Sequence, residues 1–157
     1  MAITFNIRHL ENHVLHLKGE LAPAELELSV SDELTTVSRP VDYDLIVTET
    51  GDEILAQGKV HLTLDCQCAR CLKPFTQEVN FPNWTTLLAR EGPEKVTIHN
   101  DLVDLTPYLR EDILLEFPQH PLCRVECEGL TGPASGPKKE NKSQGSSAWS
   151  ELNKLKF

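Results

Sequence analysis

The amino-acid sequence predicts an α+β fold: mainly antiparallel β sheet or a partly closed β barrel, with one principal helix packed on it and a flexible C-terminal tail. Three observations predict it. Apolar and polar residues alternate through much of residues 1–100, a helical period appears within residues 101–130, and the composition changes abruptly at residue 131. We therefore divide the chain into a β-rich domain at 1–130, a flexible linker at 131–147 and a short amphipathic segment at 148–157.

Alternation of apolar and polar side chains is the evidence for each strand of the β-rich domain. It predicts strands at residues 3–7, 26–30, 41–47, 54–66 and 75–81, with the last one ending near Pro82. Residues 49–52 have a turn composition with Gly51 and Asp52, so the two longest runs are expected to form a β-hairpin. Short turns favour antiparallel neighbours, because parallel strands need a long crossover.

The principal helix is predicted at residues 106–117. Thr106 is an acceptable N-cap, Pro107 suits the first helical position, where no N–H is needed, and Pro118 ends the helix. A narrow apolar stripe of four-residue spacing is expected to pack on the sheet, and it comprises Leu105, Leu109, Ile113 and Phe117.

Charge divides the chain into two parts of opposite sign. Residues 1–130 hold 10 Lys and Arg against 22 Asp and Glu, a net charge of −12, whereas residues 131–157 hold 5 Lys against 2 Glu, a net of +3. An acidic body repels a phosphate backbone, so it is a poor sequence-blind nucleic-acid binder and favours a basic protein partner. Negative charge that simply keeps a small protein soluble is the alternative interpretation.

Targeting signals are not visible in the sequence. No run approaches the roughly 18 apolar residues of a membrane span, and the first residues lack a basic flank followed by an apolar core. We therefore expect a cytoplasmic protein with no membrane association.

The C-terminal part contrasts with the body. Nine of the seventeen residues at 131–147 are Gly, Pro or Ser, a composition typical of a flexible linker. After it, Trp149, Leu152 and Leu155 recur at helical spacing beside Lys154 and Lys156. Such a segment either folds on a partner's surface or docks back on its own domain.

Five cysteines form the most informative pattern. Cys68 and Cys71 make one close pair, Cys123 and Cys127 make a second, and fifty-one residues lie between Cys71 and Cys123. Two such pairs suit a tetrahedral four-thiolate site, because each turn presents two sulfurs to one ion. Soft thiolates favour Zn²⁺, and four of them leave no open position, so the role would be structural. Cys66 lies in the apolar phase of its strand and is expected to be buried.

Two alternatives to the metal site stay open. The cysteines also fit reduced thiols buried as small hydrophobes. A thiol redox role is the other, although a redox-active C-x-x-C normally opens a helix, and Cys71 runs into Leu72, Lys73 and Pro74. Disulfides are not expected without a secretory signal.

Recognised enzyme motifs are absent from the sequence. The sequence contains no nucleophile elbow, phosphate-binding glycine loop, dinucleotide fingerprint or paired metalloprotease histidines. We therefore expect neither a catalytic constellation nor a small-molecule substrate.

Three stretches together resemble the YceD family of large ribosomal RNA subunit accumulation proteins. Residues 68–72, CARCL followed by Pro74, resemble the family's C-x-R-C-L signature after a strand. Residues 104–118, DLTPYLREDILLEFP, resemble its D-L-…-R-E-x-[I/L]-L-L-x-x-P helix, and residues 123–130, CRVECEGL, its C-x₃-C-x-G-L ending. Order and spacing agree across residues 1–130 and the terminal Trp-Leu-Lys stretch.

The resemblance implies a bacterial cytoplasmic, non-enzymatic factor that supports accumulation of 23S ribosomal RNA. The family is commonly encoded beside a large-subunit ribosomal protein, which implies a role in large-subunit assembly. Combined with the charges, this suggests that the acidic body holds a basic ribosomal or assembly protein, while the Lys-bearing tail touches that partner or rRNA. A thiol redox or zinc-binding regulatory protein is the alternative function.

Overall fold

The computed structural model describes residues 2–11, 13–28 and 33–130. The linker predicted at 131–147 and the amphipathic segment predicted at 148–157 lie outside the described residues. In the described part, the strands are β1 Thr4–Asn6, β2 Leu15–Leu21, β3 Thr35–Thr36, β4 Val41–Thr50, β5 Glu53–Gln67, β6 Pro74–Ala89, β7 Ile98–His99 and β8 Leu102–Asp104. The helices are a 3-10 helix at Ile7–Leu10 and α1 at Thr106–Leu115.

The main sheet is built around β5. Strand β6 pairs with one edge of β5 along its full length. On the other edge of β5, β4 pairs with residues 53–61 and β3 pairs with residues 65–66. Strand β2 pairs with the outer edge of β4. Every pairing is antiparallel, and the sheet curls into a half-barrel. A second sheet of β1, β8 and β7 is also antiparallel. The predicted fold class is confirmed.

The β-hairpin predicted from the two longest alternating runs is confirmed as β4 and β5. Thr50 pairs with Glu53 across the turn, where Gly51 has a φ of +62°, which favours glycine. The side chains predicted to face inward on β5 are buried: Ile54, Ala56, Val60, Leu62, Leu64 and Cys66. Alternation identified these strands because one of their faces covers the core.

The predicted end of a strand near Pro82 is wrong. Strand β6 continues to Ala89, because Pro82 lies in a β-bulge. There Gly58 pairs with Trp84 while Val60 pairs with Phe81, so β6 carries one extra residue. A bulge tolerates proline, since its missing N–H interrupts no regular ladder bond.

The strand predicted at residues 26–30 is wrong where the structure describes it. Leu26 and Leu28 are buried but lie in consecutive turns, and Glu27 between them has a φ of +47°. Val30 lies outside the described residues. The strand predicted at 3–7 ends at Asn6, whose side chain accepts from the backbone N–H of Arg8 and begins the 3-10 helix.

Helix α1 packs on the sheet as predicted, with different ends. Leu105, not Thr106, is the N-cap residue, and the Thr106 hydroxyl instead accepts from the backbone N–H of Ile3 at 2.9 Å. The helix ends at Leu115, two residues before the predicted Phe117. Leu109 and Ile113 are buried in the core. Among the described residues, no helix has both the length and the apolar character needed to cross a bilayer.

Candidate metal centre

The structure brings two remote pairs of cysteines together at one end of the β5–β6 hairpin. Cys68 and Cys71 lie in the turn between these strands, and Cys123 and Cys127 lie in the loop after α1. Their four Sγ atoms all lie within 4.8 Å of one another. All four candidate ligands named from the sequence therefore converge.

The distances between sulfurs fit a tetrahedral ion. Cys68 Sγ lies 3.7 Å from Cys127 Sγ, and Cys71 Sγ lies 3.7 Å from Cys123 Sγ. Tetrahedral Zn–S bonds of about 2.3 Å place two ligating sulfurs about 3.8 Å apart. A disulfide would require about 2.05 Å, so the four are free thiols that lie close enough together to bind one metal ion.

Backbone hydrogen bonds shape the turn that carries the first pair. The N–H of Cys68 donates to the carbonyl of Lys73, and the N–H of Leu72 donates to the carbonyl of Cys68, both at 2.9 Å. Leu72 has a φ of +61°, a left-handed conformation that costs a bulky residue free energy. The turn is thereby tight enough to direct both sulfurs to the same side.

Two hydrogen bonds join this turn to the loop after α1. The N–H of Ala69 donates to the carbonyl of Pro121 at 2.8 Å. The guanidinium of Arg70 donates to the carbonyl of Cys127 at 3.0 Å. Neither hydrogen bond was predicted from the sequence, although an arginine placed between two candidate ligand cysteines is a signal that could have suggested the second.

The four sulfurs differ in exposure. Cys68 and Cys127 are buried, whereas Cys71 and Cys123 are half-buried. The site thus has an inner pair that is shielded from solvent and an outer pair that solvent can reach.

The environment moves two of the thiol pKa values in opposite directions. Backbone N–H groups of Cys123 and Cys71 stabilise the thiolate of Cys68 and lower its pKa to about 6. Burial, together with hydrogen bonds to the neighbouring sulfurs, raises the pKa of Cys123 to about 12. The cluster without an ion therefore favours one thiolate, and a cation that binds all four sulfurs must displace the remaining protons.

Cys66 stands apart from this set, as its strand position predicts. It is 4% exposed and pairs with Thr35 of β3, whose hydroxyl is 4.0 Å from the Cys66 sulfur. Burial raises the pKa of the Cys66 thiol. Its surroundings are those of a structural, unreactive cysteine.

Comparisons with known proteins agree with the motif pattern. A family model described as "Large ribosomal RNA subunit accumulation protein YceD" matches residues 56–156. Uncharacterized proteins of Mycobacterium bovis and Mycobacterium tuberculosis are 30% identical over 98 residues, covering 57% of this chain and 47% of theirs. An uncharacterized protein of Mycobacterium leprae is 25% identical over 99 residues, covering 58% of this chain and 46% of its own.

The chain spans about half the length of the curated relatives it matches. No solved structure matches it.

Proposed function

The chain belongs to the YceD family, and from this premise we propose that it is a non-enzymatic ribosome biogenesis factor that supports 23S rRNA accumulation and large-subunit assembly. The family match, which covers residues 56–156, is the observation that carries the proposal. The role is cytoplasmic and proceeds by binding rather than by catalysis.

The body's charge supports a basic protein as the partner. Residues 1–130 carry twelve more Asp and Glu than Lys and Arg, so the negative charge of this part of the chain exceeds what its own Lys and Arg can neutralise. The described ion pairs Lys18–Asp44 and Arg8–Asp101 lie at the surface and leave this excess unchanged. The remaining negative field attracts a ribosomal or assembly protein rich in Lys and Arg, and the Lys-bearing tail touches this partner or rRNA.

The cysteine cluster supports this role as a structural Zn²⁺ site. Its residues fit the ion, because four thiolates at these separations supply a complete tetrahedral set. Cys68 and Cys71 would hold it from the hairpin turn, and Cys123 and Cys127 from the loop after α1. The ion would fasten these two segments, which the chain separates by fifty-one residues.

Co-sedimentation and rRNA measurement test the proposed function together. The tagged full chain is expected in fractions that contain large-subunit precursors, and a strain lacking it is expected to accumulate less 23S rRNA relative to 16S rRNA. Absence from every precursor fraction, combined with normal 23S rRNA in the deletion strain, would contradict the proposal.

A direct titration separates the two kinds of partner. The full chain is mixed with individual purified large-subunit proteins or with 23S rRNA fragments at several salt concentrations. We expect binding to a basic protein that weakens as salt rises, because exposed charges are screened within about 8 Å at physiological ionic strength. Binding to rRNA alone would assign the role to nucleic-acid recognition instead.

The outer cysteine pair supports a second candidate function, that of a thiol redox or zinc-binding regulatory protein. Cys71 and Cys123 are half-buried and their sulfurs lie 3.7 Å apart, so a peroxide can reach both. Oxidation would convert two thiols and one hydrogen peroxide into a disulfide and two water molecules. Mass spectrometry after peroxide treatment tests this, and a chain without a Cys71–Cys123 disulfide would exclude it.

A further inference from the structure

Strand β6 has one paired edge and one open edge. Residues 74–89 pair with β5 along one side, and no strand of the described residues pairs with the other side. A sheet edge presents a row of backbone N–H and C=O groups that another strand can use. The open edge of β6 is therefore a candidate interaction surface.

The hairpin between β4 and β5 fixes the direction of the backbone groups. Thr50 and Glu53 flank a two-residue turn, so they form a hydrogen-bonded pair, and Glu53 directs its N–H and C=O to β4. Directions alternate along a strand, and hence even-numbered residues of β5 direct their groups to β6. The far end of β5 agrees, because the N–H of Gln67 donates to the carbonyl of Leu34, just before β3, at 2.8 Å.

The register identifies the backbone groups of β6 that this ladder leaves unused. Before the bulge, even-numbered residues of β5 pair with odd-numbered residues of β6, as Leu62 does with Val79. The odd-numbered residues of β6 therefore bond to β5, and the residues between them, Thr76, Glu78 and Asn80, direct their N–H and C=O groups to the open edge. These groups have no backbone partner among the described residues, so an added strand can bond to all of them.

Two features confine the regular open stretch to residues 75–81. The bulge at Pro82 interrupts the edge, and prolines and bulges are devices that block strand addition. Beyond it, the N–H of Val96 donates to the carbonyl of Ala89 at 2.7 Å, so the loop after β6 covers the end of the strand. The remaining stretch is as long as an ordinary strand of about six residues.

Side chains on the core face of this stretch lack a neighbouring strand. Phe75 and Phe81 lie on the same face as their β5 partners Cys66 and Val60, which are 4% and 2% exposed. The two rings are nevertheless only half-buried, because no described strand lies beside them on the open side. An added strand with apolar side chains on its core face would bury them further.

Charge on the outer face of the same stretch favours a basic occupant. Glu78 is exposed between Thr76 and Asn80 and has no ion pair among the described residues. Residues 1–130 carry a net charge of −12, so the field of the whole body also attracts cations. A second copy paired antiparallel about the middle of this stretch would place Glu78 opposite its own counterpart, and like charges so placed are destabilising. An extended segment that alternates apolar and basic side chains fits this chemistry.

We propose that an extended segment of the basic protein partner adds to β6 as a further strand of the main sheet, bonded to the backbone of Thr76, Glu78 and Asn80. Its apolar side chains pack beside Phe75 and Phe81, and a Lys or Arg lies beside Glu78. Strand addition takes affinity from main-chain hydrogen bonds and specificity from alternate side chains. The nature of the partner rests on the proposed function, whereas the open edge is a property of the sheet.

Amide hydrogen exchange of the full chain, measured by NMR, tests the open edge with a defined probe. The probe is a peptide of alternating valine and lysine with blocked ends, about as long as an ordinary strand. Without the peptide, the amides of Thr76, Glu78 and Asn80 should exchange about tenfold faster or more than those of Gln77 and Val79, which bond to β5. With the peptide at millimolar concentration, exchange of the first three should slow by about tenfold or more.

Two results of this measurement would overturn the proposal. Edge amides that exchange slowly without the peptide would show that another part of the chain already covers the edge. Edge amides that the peptide does not slow would show that the edge accepts no strand of this chemistry.

Two substitutions at Glu78 separate recognition of the backbone from recognition of the side chain. Glu78→Pro removes an N–H from the open edge and keeps the ladder to β5, because this N–H does not bond to β5. It should weaken peptide binding by about tenfold or more, whereas Glu78→Gln, which removes only the charge, should weaken it a few-fold. His16→Pro is the matched control and should leave binding unchanged, since the N–H of His16 points away from β4 at the outer edge of β2. Equal binding by Glu78→Pro and Glu78→Gln, with Gln77 and Val79 still protected, would overturn the proposal.

Failure of strand addition and failure of the proposed function give different results. Co-sedimentation of the wild-type chain with large-subunit precursors tests the function, and the peptide tests the edge without any ribosomal component. Full-length Glu78→Pro should be reduced about tenfold in the precursor fractions, while His16→Pro stays at the wild-type level. Wild-type levels of Glu78→Pro in those fractions would overturn strand addition and leave the proposed function standing.

Discussion

The main sheet and the cysteine end of the molecule are stabilised by different means. The sheet buries large apolar side chains almost completely, among them Leu45 and Ile54. At the cysteine end Leu72, Val125 and Leu130 are 48%, 88% and 68% exposed, and backbone hydrogen bonds and four sulfurs hold the segments together. The hydrophobic effect therefore maintains the sheet, whereas the cysteine end depends on a cross-link, which the proposed ion would supply.

Replacing a candidate ligand cysteine is expected to have the largest effect, because it should remove bound zinc and loosen the cysteine end while leaving the main sheet intact. Cys68→Ser should reduce bound zinc from one ion per chain to about a tenth or less, because oxygen is a poorer ligand for this ion. Elemental analysis measures the ion, and hydrogen exchange should show faster exchange around Ala69 and Cys127 with little change in β4 and β5. Cys66→Ala is the control that keeps its zinc. A wild-type chain free of zinc, or equal loss in both variants, would contradict the cross-link.

A cavity in the core of the main sheet should have the opposite effect: it should lower the stability of the fold and leave the zinc content unchanged. Leu45→Ala is expected to lower the free energy of unfolding by about 2–5 kcal/mol, because Leu45 is fully buried. Zinc content of the folded variant should stay at the wild-type value. Denaturant unfolding combined with elemental analysis checks both, and joint loss of stability and zinc would show that the two regions are not independent.

Arg70 connects the two segments of the cysteine end without providing a ligand. Arg70→Ala removes its bond to the Cys127 carbonyl and should weaken zinc affinity by about 10–100-fold, the usual cost of losing a supporting contact. Competition with a chromophoric chelator measures the affinity. Arg124→Ala, at an exposed position in the same end, is the matched control and should change the affinity little.

Replacing Cys66 is expected to have the smallest effect, a change in how the stability of the main sheet depends on pH. Its pKa is raised by burial, so the folded state holds this proton more tightly than the unfolded state does. Stability from this group is present below the ordinary thiol pKa of 9.0 and is lost as the pH rises through the higher folded value. The free energy of unfolding should therefore fall above pH 9 in wild type and less steeply in Cys66→Ala. Identical slopes in denaturant titrations at several pH values would contradict this.

Sequence patterns predicted the features that depend on one-sided burial or on ligand spacing. The alternation from Ile54 to Leu64 identified β5, and the cysteine spacing identified the four sulfurs that converge. The same rule wrongly predicted a strand at Leu26 and Leu28, because the turns around Glu27 bury both side chains without forming a strand. The bond from Arg70 depends on a backbone carbonyl, which leaves no periodic signal in side-chain type.

The bulge at Pro82 divides β6 into two halves of opposite parity. Before it, odd-numbered residues such as Val79 face the core, and after it even-numbered residues such as Trp84 and Leu88 do so. One surplus residue thus keeps both Phe81 and Trp84 on the inner side. Deleting Asn83 would remove this surplus residue and leave a regular ladder in which Trp84 still pairs with Gly58 and Phe81 with Val60, so the same apolar residues would face the core.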